Sequence, residues 1–269
     1  MKLAAIDLDG TLLNHLGEIP KKNQEALQTF NQQGGTIVLA TGRSILSVKK
    51  VFAQLSIDGY VLASNGAYIA KVEKGETTSV LKRFDIPAKT INQAFHLAEQ
   101  IGVTIVASRE TQDDRITFDA SPVEVDSPYY AQFQLQDSST EELLKKINDG
   151  SLNYFKLAFN DTDVDKLAVL RKMFESAGIP SVYTDIHWLE IMADGVNKGT
   201  SLTFLADYLQ IDPEEVVAFG DQENDIEMLK VSGVGVAMDN ALEPVKAIAQ
   251  QVTTSNEEAG VAEVLEEYL

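Results

Sequence analysis

Ala5-Ile6-Asp7-Leu8-Asp9-Gly10-Thr11-Leu12-Leu13 sets two carboxylates, two positions apart, at the exit of an apolar run. Alternate residues of a strand point the same way, so Asp7 and Asp9 are expected to serve one site just beyond a strand end. Gly10 lets the backbone turn sharply there. In an open parallel sheet, ligands bind outside the carboxyl ends of the strands. Two acids at such a place call for a cation, for a nucleophile with an acid/base partner, or for both.

Working outward from this stretch, short β-branched strands alternate with amphipathic helices. Strands are predicted at Leu3–Leu8, Thr36–Ala40 and Tyr60–Ser64, with helices from Lys22 to Gln33 and from Ser44, as its cap, to Leu55. A hairpin is predicted around Lys74-Gly75-Glu76. The character changes near Phe84. Up to about Trp188 the pattern predicts helices at Ala88–Gln100, Thr140–Ile147 and Val164–Ala177, and strands at Val103–Ala107, Tyr154–Phe159 and Leu189–Met192. Its middle, Ser108 to Gln136, is the least regular stretch. From Asn197 the βα rhythm returns, with strands at Val216–Phe219 and Val234–Ala237 and helices from Asn224, at Leu242–Ala249 and at Val261–Tyr268. The expected fold class is α/β: a doubly wound, mainly parallel, Rossmann-like sheet core, residues 1–83 and 190–269, split by an inserted α+β domain, residues 84–189.

Composition narrows the partners. Against 41 Asp plus Glu stand 22 Lys plus Arg, a net charge of −19. Such a surface repels nucleic acid and anionic membranes, so neither is expected as a partner. An anionic substrate needs a local positive site, either a bound cation or a focal Lys. The chain has no cysteine, which excludes disulfides and thiol chemistry. It has no apolar stretch long enough to span a bilayer, and no signal-like segment precedes the first strand. A cytoplasmic location is expected. Oligomeric state is not legible.

Four signals fall in the two flanking halves. Asp7 and Asp9 are the first. Thr41-Gly42-Arg43, again at a strand exit, is the second. Lys198, in Gly195-Val196-Asn197-Lys198-Gly199 at a helix start, is the third. Gly220-Asp221-Gln222-Glu223-Asn224-Asp225, after another apolar strand, is the fourth. Carboxylates without a nearby His or Cys suit Mg²⁺ over zinc. Together with Lys198, such a cation supplies the positive charge that the chain as a whole lacks. Each motif alone has an ordinary reading as a helix cap, turn or surface side chain; their joint order is what speaks for a site. Arg43 is left between a substrate contact and a surface ion pair.

These residues resemble the haloacid dehalogenase superfamily of phosphatases. The match is close to its Cof-type sugar-phosphatase branch, whose class IIB cap is inserted between the second and third motifs. The resemblance implies that Asp7 is a nucleophile forming an aspartyl-phosphate, and also a metal ligand. It makes Asp9 the general acid/base, with its backbone carbonyl on the metal. Thr41 and the Gly42 amide would bind the transferring phosphoryl group. Lys198 would neutralise charge, and Asn224 would contact phosphate. Asp221 would be a further ligand of Mg²⁺, and Asp225 would orient the metal shell. The implied activity is Mg²⁺-dependent hydrolysis of small phosphorylated metabolites, sugar phosphates foremost. The inserted cap would close over the site about hinges near Lys82–Pro87 and Trp188–Val196. It would read the leaving group through the irregular stretch that carries Arg115, Asp119, Glu124 and Tyr129. A sugar phosphomutase, or a catalytically silent metabolite-binding protein, are the alternatives on the same scaffold.

Several look-alikes fail. Asn197-Lys198-Gly199-Thr200 has its Lys before its Gly and lacks the Gly-rich turn of a phosphate loop. Asp161, Asp163 and Asp165 imitate a calcium loop, but Lys166 and Lys172 stand where Gly and Glu are required. Trp188 is read as a packing residue.

Overall fold

In this computed structural model, which describes residues 1–118 and 135–269, the run Leu3-Ala4-Ala5-Ile6 forms a strand buried at every position. A strand covered on both faces needs a continuous apolar run rather than an alternating one. This strand, β1 (Leu3–Ile6), is followed by α1 (Lys21–Gln32), β2 (Thr36–Ala40), α2 (Ile45–Leu55), β3 (Gly59–Ala63), β4 (Tyr68–Glu73) and β5 (Glu76–Arg83). Both helices are amphipathic. α1 buries Ala26, Leu27 and Phe30, and α2 buries Ile45, Val48, Val51, Phe52 and Leu55. Ser44 holds the N-cap position of α2, but its side chain makes no capping bond. The hairpin between β4 and β5 turns on Lys74 and Gly75, both at positive φ (52° and 78°), the geometry of the tight turns that match strand twist.

The inserted elements are α3 (Ala88–Ile101), β6 (Thr104–Arg109), β7 (Gln112–Ile116), β8 (Leu135–Asp137), α4 (Thr140–Asn148), β9 (Lys156–Asn160), α5 (Val164–Ser176), β10 (Val182–Asp185) and β11 (Trp188–Ile191). The chain then forms α6 (Lys198–Leu209), β12 (Val216–Gly220), α7 (Ile226–Val231), β13 (Val234–Ala237), α8 (Glu243–Ile248), β14 (Gln251–Val252) and α9 (Gly260–Leu265). Two compact units result: residues 1–83 with 196–269, and residues 84–195.

The first unit is an eight-stranded sheet in the order β14-β13-β12-β1-β2-β3-β4-β5. All neighbours from β14 to β3 run parallel, and β3, β4 and β5 are antiparallel. This is the α/β core that the sequence predicts. Register decides where the site lies. Ile6 pairs with Phe219 on one side and Leu39 on the other, so the chain leaves all three central strands at one level.

The second unit is a six-stranded sheet, β10-β11-β9-β6-β7-β8, antiparallel except between β7 and β8. Phe95, Phe159, Phe174 and Leu170 lie in its apolar core. Three of its strands were not predicted. β7 reads Gln-Asp-Asp-Arg-Ile and offers no apolar alternation. It forms because β6 pairs along its whole length, and because buried Asp114 is satisfied by the Tyr154 hydroxyl at 2.6 Å and by Arg109 and Gln112. β8 and β10 are short and polar or half-buried. β11 hydrogen-bonds to β9 and β10 inside the second sheet, so Trp188–Ile191 belong with the second unit, which runs to Gly195. Within the irregular stretch, Arg115 is ion-paired with Asp137 at 2.6 Å. Asp119, Glu124 and Tyr129 lie outside the described residues.

Candidate active site

β1 ends at Ile6, so Asp7 and Asp9 are placed by the turn that follows it, not by strand alternation as the sequence alone implied. The turn folds back on itself. Leu12 N–H donates to Asp7 O (3.2 Å), Leu13 N–H to Leu8 O (2.8 Å) and Thr11 N–H to Leu8 O (3.3 Å). Gly10 has φ +79°, and a Cβ there would stand 2.4 Å from Asp221 Oδ2. Glycine is thus required twice over, for the backbone and for the approach of Asp221. The neighbouring strand β12 delivers Asp221 directly after Gly220, and the Thr11 hydroxyl donates to Asp221 Oδ1 at 2.8 Å.

Lys198 stands at the first residue of α6, and its side chain is completely buried. Its ammonium donates to Asp7 Oδ1 and to Asp225 Oδ1, both at 2.6 Å. The other oxygen of Asp225 accepts the backbone N–H groups of Asp221 and Gln222, each at 3.0 Å. Both oxygens of Asp225 are therefore engaged in holding Lys198 and the Asp221 loop. One carboxylate oxygen from each of Asp7, Asp221 and Asp225 lies within 4.8 Å of the others.

Three buried carboxylates share one ammonium, and their protonation reflects it. Burial pushes the Asp7 carboxyl well above the ordinary range; Lys198 opposes this, while Asp225, Asp221 and Asp9 add to it. Asp221 is raised to about 7, first by burial and then by Asp225, with Thr11 pulling the other way. Burial alone would lower Lys198, but Asp225 and Asp7 more than offset it and hold the ammonium above its ordinary value. The uncompensated negative charge and the all-oxygen donor set fit a hard divalent cation.

Asp9 lies apart from this buried group and is partly exposed. Both of its oxygens accept from Arg43, at 2.8 Å from Nε and 2.5 Å from Nη2. Arg43 is thus in an ion pair, but its side chain is 4% exposed, so the pair is not the surface contact considered from sequence. Arg43 sits with Thr41 and Gly42 on the exit of β2. Thr41 is buried, and its hydroxyl accepts Arg43 N–H at 3.1 Å, which leaves the hydroxyl proton to donate. Asn224, in the short turn before α7, donates from Nδ2 to Asn65 Oδ1 at 2.9 Å. Asn65 directly follows the strand that the sequence predicts at Tyr60–Ser64. Nothing but its place after β3, at the same sheet edge, could have flagged it.

These motifs all stand at strand ends and helix starts of the first unit. The model of the haloacid dehalogenase-like hydrolase family matches residues 4–265. Phosphatase YwpJ of Bacillus subtilis is 32% identical, with the whole of both chains covered. The 5-amino-6-(5-phospho-D-ribitylamino)uracil phosphatase YitU of the same organism is 28% identical over 99% of this chain and 97% of its own. Among solved structures, a haloacid dehalogenase-like hydrolase from B. subtilis superposes with a TM-score of 0.88 at 29% identity, covering 100% of each chain. No helix among the described residues is long and apolar enough to cross a membrane. The chain belongs to the haloacid dehalogenase-like hydrolases, in their Cof-type branch, and is a phosphatase of small phosphorylated metabolites.

Proposed function

We propose that this phosphatase hydrolyses monophosphate esters of sugars and sugar alcohols through a phosphoryl adduct on Asp7. The observation that carries the reading is the buried Asp7 carboxylate, gripped by the Lys198 ammonium at 2.6 Å and followed two residues later by a second, solvent-reaching acid. Phosphoryl transfer asks mainly for positioning and charge stabilisation. An Asp carboxylate at this place divides hydrolysis into two easier steps.

In the first step Asp7 attacks phosphorus. The bond from phosphorus to the ester oxygen breaks, and Asp9 gives that oxygen a proton. In the second, water attacks the phosphoryl group on Asp7, and Asp9 takes the proton from the water. Arg43 must release at least one Asp9 oxygen for either transfer. The Thr41 hydroxyl and the Gly42 amide hold the phosphoryl oxygens, with one N–H of Asn224. Lys198 remains charged throughout and offsets the negative charge of Asp7 and phosphate. Asp7, Asp221 and the Asp9 carbonyl would hold Mg²⁺, and Asp225 would orient that set through Lys198 and the Asp221 amide. The cation would supply charge stabilisation to the phosphoryl oxygens. The substrate class takes support from the relative that acts on a phosphorylated ribityl group, and the choice among leaving groups is assigned to the inserted unit.

Initial rates of phosphate release from sugar phosphates, sugar-alcohol phosphates, nucleotides and cofactor phosphates, with Mg²⁺ and with chelator, test this. Chelator-sensitive release concentrated on sugar and sugar-alcohol esters is expected. Release from nucleotides alone would overturn the substrate class. An isomeric sugar phosphate in place of free phosphate would show a mutase.

A further inference from the structure

The chain leaves β3 through Ser64-Asn65-Gly66 with φ of +51°, +56° and +92°. Two consecutive residues with side chains in the left-handed region are rare, and they persist only where the surroundings over-determine them. Here they do. Ser64 N–H donates to Arg43 O and Asn65 N–H to Thr41 O, each at 2.9 Å. From the other side, Ser201 Oγ donates to Gly66 O at 2.8 Å. A Cβ on Gly66 would stand 2.4 Å from that Oγ and 2.8 Å from Asn197 O. The turn is wedged between the Thr41–Arg43 loop and the first turn of α6, which carries Lys198. All three of its residues are buried.

The backbone at position 65 would be better served by glycine. Asparagine tolerates the left-handed region, and its side chain does something glycine cannot: Oδ1 takes one N–H of the Asn224 carboxamide at 2.9 Å. That bond fixes which way the carboxamide faces. Asn224 Oδ1 is buried and has no hydrogen-bond partner among the described residues, so the bond to Asn65 is the observed polar contact that sets the orientation of this amide.

We propose that Asn65 is a positioning residue of the phosphatase site, orienting Asn224 so that its second N–H meets the phosphoryl group. The proposal rests on the reading of Asn224 as a phosphate contact, given above. Asn65 touches no reacting atom; it acts through Asn224 and through its hold on the Thr41 carbonyl.

Asn65→Gly removes the side chain while suiting the backbone. A purely structural Asn65 predicts unchanged kinetics and an unchanged or raised Tm. The positioning role predicts kcat/KM down about tenfold or more, with weaker inhibition by orthovanadate and no loss of Tm. A cycle with Asn224→Ala decides the route: the double variant is expected to be no worse than Asn224→Ala alone. Wild-type kinetics in Asn65→Gly, or losses that multiply in the double variant, would overturn the proposal. If Asn224→Ala leaves KM and orthovanadate inhibition unchanged, the phosphate-contact reading itself falls, and the proposal with it. Should glycine unfold the protein, Asn65→Ser, a residue type already left-handed at position 64, enters the same cycle with the same expectations.

Discussion

Lys198 Nζ lies 2.6 Å from Asp7 Oδ1, although 191 residues separate them in the chain. The same ammonium meets Asp225 at 2.6 Å, and its side chain has no solvent exposure. Replacing it with methionine would leave two buried carboxylates without their counter-ion. Breaking a buried pair in this way costs about 3–5 kcal/mol. Lys198→Met should therefore unfold at markedly lower denaturant concentration, and its kcat should fall by roughly 10²–10³-fold or more. Added Mg²⁺ should recover part of the stability and little of the rate. Urea titrations with and without the cation, beside steady-state rates, check both.

Asp9 holds its place through Arg43 rather than through burial. Asparagine keeps one acceptor for the guanidinium, so Asp9→Asn should fold with a nearly unchanged Tm. It has no proton to give and cannot take one from water. Loss of a general acid/base is worth about 10²–10⁴-fold, and that is the expected fall in kcat. With an activated aryl phosphate, whose leaving group needs no proton, the adduct on Asp7 should accumulate. Acid-quenched intact-mass spectrometry would detect it; its absence would count against Asp7 as nucleophile.

On the proposed ligand set, a cation would compete with protons at Asp221. In the metal-free protein its carboxyl is raised from 3.8 to about 7. Between those values the folded state binds more protons than the unfolded chain, so this group makes stability fall as pH rises through that window. Asp7, raised by burial, acts in the same sense. A bound cation removes the penalty by pairing with the charged forms. The Tm increase caused by Mg²⁺ should thus be larger at about pH 8 than at about pH 5.5. A shift independent of pH would argue that these carboxylates do not hold the metal.

Gly10 bears on the same carboxylate. A methyl group there meets Asp221 Oδ2 at 2.4 Å, on a backbone at φ +79°. Gly10→Ala should displace Asp221 and raise the Mg²⁺ concentration for half-maximal rate by about 10–100-fold, as loss of support around a metal ligand does. Saturating Mg²⁺ should restore much of kcat. An unchanged Mg²⁺ dependence would remove Asp221 from the ligand set.

Much of this was legible in the sequence because the physics is local. The apolar run Leu3–Ile6 and the turn residues Lys74-Gly75 each declare their element without help from distant residues. The motifs at Asp7, Thr41, Lys198 and Asp221 stand where strands end or helices begin, and a parallel sheet brings such ends to one edge. Register then decided what sequence could not. It set Ile6 level with Phe219 and Leu39, and so turned four distant motifs into one set of contacts. Strand β7 was invisible because its stability comes from pairing with β6 and from the Tyr154 hydroxyl on Asp114, not from apolar periodicity. The Arg43–Asp9 pair and the Asn65–Asn224 bond were hidden for a related reason. Hydrogen bonds act over about 3 Å, and which polar groups come that close is fixed only when the whole chain is packed.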